Sequence, residues 1–282
     1  MNGILSYEFM QNALFAAILA SIVCGLIGPF IVARKMVFIS GGLSHTAFGG
    51  LGIAYWLGKQ GLMFTIRPIY GATVFVLAAA LFLGSLEEKK LNQNDLFIGI
   101  LWAVGVAIGI VFVHLTPGYA PDLMSFLFGN ILTVPRTDVA IMFVIVLIVV
   151  VTVAIFYKGF VAISLDEEFA RARRLPVYGL KTGLTVLTAL TIVTLIQVVG
   201  ILLVIALLTI PVAIASELSI NFRKIIALSI VSGIAICLLG LYISYSIDFP
   251  SGASIILTGG ILLVIVKGLK GLAKLKKTAL FP

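Results

Sequence analysis

Of 282 residues, 61% are hydrophobic and only 11% charged, with a formal net charge of +8 and a mean hydropathy of +1.24. A water-soluble domain is about 45–50% apolar and about 25% charged, so the composition excludes a single soluble fold, a disordered chain and a nucleic-acid binder. The excess of Lys and Arg belongs at membrane edges, where basic loops face the cytoplasm and anionic lipid.

A membrane-crossing helix needs about 20 apolar residues. Such runs fall at 9–33, 38–58, 68–86, 96–115, 138–157, 178–197, 199–216, 225–247 and 253–267. The expected fold class is therefore all-α, a polytopic transmembrane helical bundle of about nine spans, with residues 1–282 as one domain. The first run follows Glu8 with no preceding Lys or Arg and is longer than a signal-peptide core, so it reads as a retained span. The second holds His45. Between Lys181 and Glu217 the uncharged stretch is too long for one crossing, and a break near Gln197 to Gly200 divides it. Pro211 lacks a backbone donor and is expected to kink or end its helix near Leu207. In the eighth run Gly233, Cys237 and Gly240 share a face suited to helix packing. Cys24 and Cys237 lie inside apolar runs as small buried thiols and form neither a disulfide framework nor a zinc cluster. The aromatic residues, mostly Phe, read as lipid-facing or core filling.

Basic residues orient the chain. With the N-terminus outside and the C-terminus cytoplasmic, only Lys59, Arg67 and Arg136 of the nineteen Lys and Arg lie outside. The basic tail from Lys267 to Lys277 then reads as a snorkelling helix end at the cytoplasmic interface. Two segments fit neither span nor short loop. Residues 122–134 form a short amphipathic run on the outer side, expected as a re-entrant or interfacial helix. Residues 164–176 form a charged cytoplasmic stretch. There Ser164 or Asp166 can cap a helix that is acidic in its first turn, basic in its last and stopped before Pro176. Composition leaves docking element and linker equally open for it.

The sequence has no GxxxxGK[ST] phosphate loop, and its eleven acidic residues all fall at span ends or in loops. Proton- or sodium-driven carriers keep ionisable groups at membrane depth, so work against a gradient would come from a partner. His45 is the ionisable side chain deep in a span. Gly41, Gly49 and Gly52 share its helical face and Gly42 flanks it, which lets another helix approach closely. Imidazole is a common metal ligand, and an intramembrane histidine is a functional candidate. The alternative is a core histidine bonded to a neighbouring serine or carbonyl. His114, at the end of the fourth span, reads as interfacial.

Five segments in order carry a family resemblance: RKMVFISGGLSHTAFGGLGIAYWLG (Arg34 to Gly58), DLMSFLFGNILTV (Asp122 to Val134), SLDEEFARARRLPV (Ser164 to Val177), VVGILLVIALLTIPVAIA (Val198 to Ala215) and PSGASIIL (Pro250 to Leu257). Over nearly its whole length the chain resembles the membrane permeases of bacterial and archaeal ABC importers for zinc, manganese or iron, the ABC-3 group. The resemblance implies a type II ABC importer-like bundle in the cell membrane. It implies a homodimer, two cytoplasmic ABC ATPase subunits and an extracellular or periplasmic metal-binding protein. It also implies a transported divalent metal, no permanently bound cofactor and no ATPase site of the chain's own. It assigns His45, with Ser44 as a possible companion, to the translocation pathway. It assigns Asp166, Glu167, Glu168, Phe169, Ala170, Arg171, Leu175 and Pro176 to the ATPase-coupling helix.

One departure matters. Such permeases often place an Asp one turn before the histidine, where this chain has Gly41. Carboxylate suits manganese and imidazole suits zinc, so zinc is favoured over manganese or iron. The rival readings are a same-fold permease for a metal chelate such as a siderophore or cobalamin, and a self-sufficient secondary carrier or channel. A membrane scaffold without transport is disfavoured by the coupling-like segment.

Overall fold

The computed structural model describes residues 7–60, 67–85, 91–117, 129 and 131–280. Among them are α1 (Glu8–Ala33), α2 (Val37–Lys59), α3 (Pro68–Ser85), α4 (Leu91–His114), α5 (Arg136–Leu165) and the short α6 (Glu167–Ala172). These are followed by α7 (Val177–Val199), α8 (Ile201–Leu218), α9 (Phe222–Ile247) and α10 (Ser251–Leu280). Nine of these helices, all but α6, are long and apolar enough to cross a membrane. There is no strand among the described residues. The all-α expectation holds, and the observed helices overlie all nine apolar runs. The expected helix at 122–134 falls mostly outside the described residues. Its end, Ile131–Thr133, is a 3-10 turn packed on α1.

The helices differ in enclosure, and the two extremes differ in hydropathy as well. In α2, 72% of the span is buried and mean hydropathy is 1.2, whereas in α5 22% is buried and the value is 3.4. Lipid-facing helices must be apolar all round, while enclosed ones can carry small and polar residues because protein satisfies them. α2 is gripped by α3 and α4, and α1 by α9, α8 and α5.

Local chemistry explains the breaks. Gly200, at φ 82° and ψ 162°, takes a backbone conformation essentially reserved for glycine and separates α7 from α8. Gly129 lies against this break, where a Cβ would collide with Val199 and Gly200 backbone. Pro211 does not end its helix: α8 continues to Leu218. The Ser232 hydroxyl of α9 donates to the Pro211 carbonyl at 3.3 Å and ties the two helices together there. On α9, Gly233 faces Ser21 of α1 and Gly240 faces Ile255 of α10. The Ser21 hydroxyl donates to Cys237 Sγ at 3.4 Å. That face is a packing seam.

Candidate functional site

His45 lies on the most enclosed helix. α2 contains Gly41, Gly42, Gly49, Gly50, Gly52 and Gly58. Each helical glycine costs about 1 kcal/mol against alanine in water, but in lipid the backbone has no water to turn to and stays helical. The return is proximity. A Cβ at residue 49 would stand 2.8 Å from the Gly105 carbonyl oxygen, and one at residue 52 would stand 2.6 Å from that of Gly109. Gly105 is equally tight, since its own Cβ would be 2.8 Å from Thr46 Cα. Gly105 and Gly109 form a G-x-x-x-G face on α4 that meshes with the α2 stripe, a recognised small-residue packing mode. On the other side, Gly50 meets Gly71 of α3 in the same backbone-to-backbone way.

This locked register brings Trp102 of α4 onto His45. Their ring centroids are 4.3 Å apart and their planes 16° apart, a face-to-face stack. Gly41 makes room for it: a Cβ there would lie 2.9 Å from Trp102 Cζ3. His45 Nδ1 is buried with no hydrogen-bond partner among the described residues. The alternative of a core histidine satisfied through that nitrogen therefore lacks support. Ser44 is fully buried, and its hydroxyl donates to the Ser40 carbonyl at 2.8 Å rather than to the imidazole. No group of three or more His, Cys, Asp or Glu that could hold a metal occurs among the described residues. His114 is exposed at the end of α4.

At the α6 end of the bundle the design is different. A six-residue helix has no stability of its own, so α6 is held from outside. Asp166 is its N-cap and accepts from the Phe169 amide at 2.9 Å. Of the two candidate caps, Asp166 does the capping; the Ser164 hydroxyl is buried without a hydrogen-bond partner among the described residues. Glu167 turns inward to Arg34 at 3.1 Å, with side chains only 9% and 7% exposed. Arg34, at the C-cap of α1, also donates to the Ile163 carbonyl at 2.6 Å, and Arg171 reaches Glu167 at 2.9 Å. The buried ion pair thereby ties α6 and the end of α5 to the α1–α2 junction, which leads directly into the helix that carries His45.

The structure divides the predicted coupling residues. Ala170 is fully buried, Glu167 and Leu175 are partly buried, and Asp166, Glu168, Arg171 and Pro176 are exposed. Phe169 is 54% exposed, with Arg173 over its ring at 5.6 Å. Sequence reasoning missed Trp102, which it counted among the filling aromatics, as well as the Gly105–Gly109 face and the Arg34–Glu167 pair. The G-x-x-x-G spacing was readable; the stack and the ion pair depend on contacts between distant segments.

Comparison with known proteins places the chain in one family. The membrane protein slr2045 of Synechocystis sp. is 44% identical over 261 residues, covering 93% of this chain and 90% of that protein. The manganese transport system membrane protein MntC of Listeria monocytogenes is 36% identical over 265 residues, covering 94% and 92%. Among solved structures, PsaBC from Streptococcus pneumoniae in complex with Fab contains a chain that matches with a TM-score of 0.81 at 33% identity, covering 94% of this chain and 93% of that one. The nine spans make this a multi-pass membrane protein of the bacterial cell membrane. The model of the ABC 3 transport family matches residues 6–269, and the chain belongs to that family.

Proposed function

We propose that this chain is the permease of an ATP-driven importer for a divalent transition-metal ion. It works as a homodimer, with two ATPase subunits docked at the α6 end and a metal-binding protein delivering cargo at the opposite end. The observation that carries this reading is His45: a buried imidazole nitrogen without a partner among the described residues, on a helix packed backbone to backbone, in a chain of the ABC 3 transport family. Neutral imidazole is a transition-metal ligand, and a bundle interior is where a transported ion must shed water and find protein donors. One protomer supplies no three-ligand cluster among its described residues, so two copies of His45 facing a shared pathway would complete the transit site.

The sequence lacks a phosphate loop, so nucleotide hydrolysis belongs to the partner subunits. The exposed Phe169 and Glu168 of α6 are the surface offered to them. Buried Glu167 and capping Asp166 hold that surface in place. The N-terminus lies outside, as the distribution of basic residues favours.

The donor chemistry at His45, imidazole without a nearby carboxylate among the described residues, favours zinc. Manganese is a second reading, supported by the name of the Listeria relative. The test is ATP hydrolysis and uptake by the complete complex in liposomes with its binding protein, compared across zinc, manganese and iron. Metal-stimulated hydrolysis with uptake, lost in His45→Ala, is expected. Metal uptake by the isolated chain without nucleotide would overturn the importer reading in favour of a self-sufficient carrier.

A further inference from the structure

We propose that Trp102 is the positioning and specificity-determining residue of the His45 site, an aromatic wall that fixes the plane in which the imidazole meets a cation. The proposal rests on the reading that His45 carries the metal. Three observations support it. First, the indole lies flat on the imidazole, with centroids 4.3 Å apart and planes 16° apart. This geometry blocks one ring face and leaves the ring edge, with its nitrogens, for coordination. Second, Gly41 contributes no side chain where a Cβ would stand 2.9 Å from the indole, so the stack and any side chain at residue 41 compete for the same space. Third, Trp102 is misplaced for an ordinary membrane tryptophan. Tryptophans collect at membrane–water interfaces, yet Trp102 sits inside the apolar span Leu96–His114, about 9 Å along the helix from the start of that span. The other tryptophan, Trp56, is close to the end of α2 and packs edge-on with Phe112 at 5.5 Å, the ordinary placement.

The physical consequence is electronic as well as steric. A metal bound in the imidazole plane withdraws electron density from the ring, and an electron-poor ring is attracted to the negative face of an indole. The stack is therefore stronger with metal bound than without it. Trp102 favours the loaded imidazole over the empty one and holds it against rotation in between.

The two tryptophans make this directly measurable in the full chain, purified in lipid nanodiscs. With Trp56→Phe, Trp102 is the sole indole. Titration with zinc chloride, spectroscopically silent itself, is expected to change its emission saturably, and His45→Ala is expected to abolish the change. Trp102→Leu, of similar apolar character but without a π face, is expected to weaken zinc binding by about tenfold. Trp102→Phe, which keeps a π face, should restore most of that loss. If zinc leaves Trp102 emission unchanged, or Trp102→Leu binds zinc as the parent does while His45→Ala does not, the wall is overturned and the metal site survives. If His45→Ala binds and transports as the parent does, both fall.

Discussion

The middle of α2 and the α5–α6 corner solve opposite problems. Around His45, specificity is built from missing side chains: Gly49, Gly52, Gly105 and Gly109 let two backbones touch, and the register they lock sets Trp102 on the imidazole. At the corner it is built from charge: Arg34 and Glu167, almost wholly shielded, hold a six-residue helix that could not persist alone. In the bilayer interior helices gain nothing from hiding apolar surface, because lipid is as apolar as leucine, so close packing must do the discriminating. At the membrane edge water competes for every exposed contact, and a shielded, fully engaged ion pair specifies one orientation where loose apolar contact would not.

The largest expected effect separates chemistry from packing within the first region. His45→Ala should lower metal uptake by roughly 100-fold or more, since losing even a supporting hydrogen bond around a metal ligand costs about 10–100-fold. Its yield and thermal unfolding in detergent should match the parent, because an alanine fits the same helix; uptake at parental level would detach the site from transport. Next comes the corner. Glu167→Leu strands the Arg34 guanidinium in a shielded position and should destabilise by about 3–5 kcal/mol, while Arg34→Met with Glu167→Leu should recover much of that loss. Thermal unfolding of the four members of this cycle checks it; simple addition of the two single effects would show that the pair does not act as a unit. Gly49→Leu follows, with about 1–3 kcal/mol from forced separation of α2 and α4. It should also break the His45–Trp102 stack, visible as altered tryptophan emission.

How much of this was legible in the sequence follows from the same contrast. The nine spans were readable because crossing a bilayer demands a long apolar run, and the break at Gly200 showed as a stretch too long for one helix. The glycine face around His45 was readable because helical periodicity places Gly41, Gly49 and Gly52 together. What covers that face was not, since Trp102 reaches His45 only through the meshing of two glycine stripes more than fifty residues apart. α5 runs to Leu165, well past its apolar run, because Phe160 and Ile163 continue to pack on the core after Lys158 ends the hydropathy signal. Arg34 read as a topology-setting charge and Glu167 as a docking one. Only the fold reveals that each neutralises the other.

The smallest expected effect sharpens the division of labour within α6. Asp166→Ala removes the side-chain acceptor for the Phe169 amide and should cost about 1 kcal/mol, with Asp166→Asn recovering most of it because asparagine caps as well as aspartate. Glu168→Lys alters an exposed side chain and should change stability by less than about 0.5 kcal/mol. If α6 is the docking surface, their effects on partner binding should run the other way: Glu168→Lys should weaken co-purification of the ATPase subunits more than Asp166→Asn does. Equal retention of the ATPase by both variants would remove Glu168 from the docking surface. Loss of the ATPase in Asp166→Ala with recovery in Asp166→Asn would show that docking needs the helix to be formed, because the two variants differ in the cap and share the loss of charge.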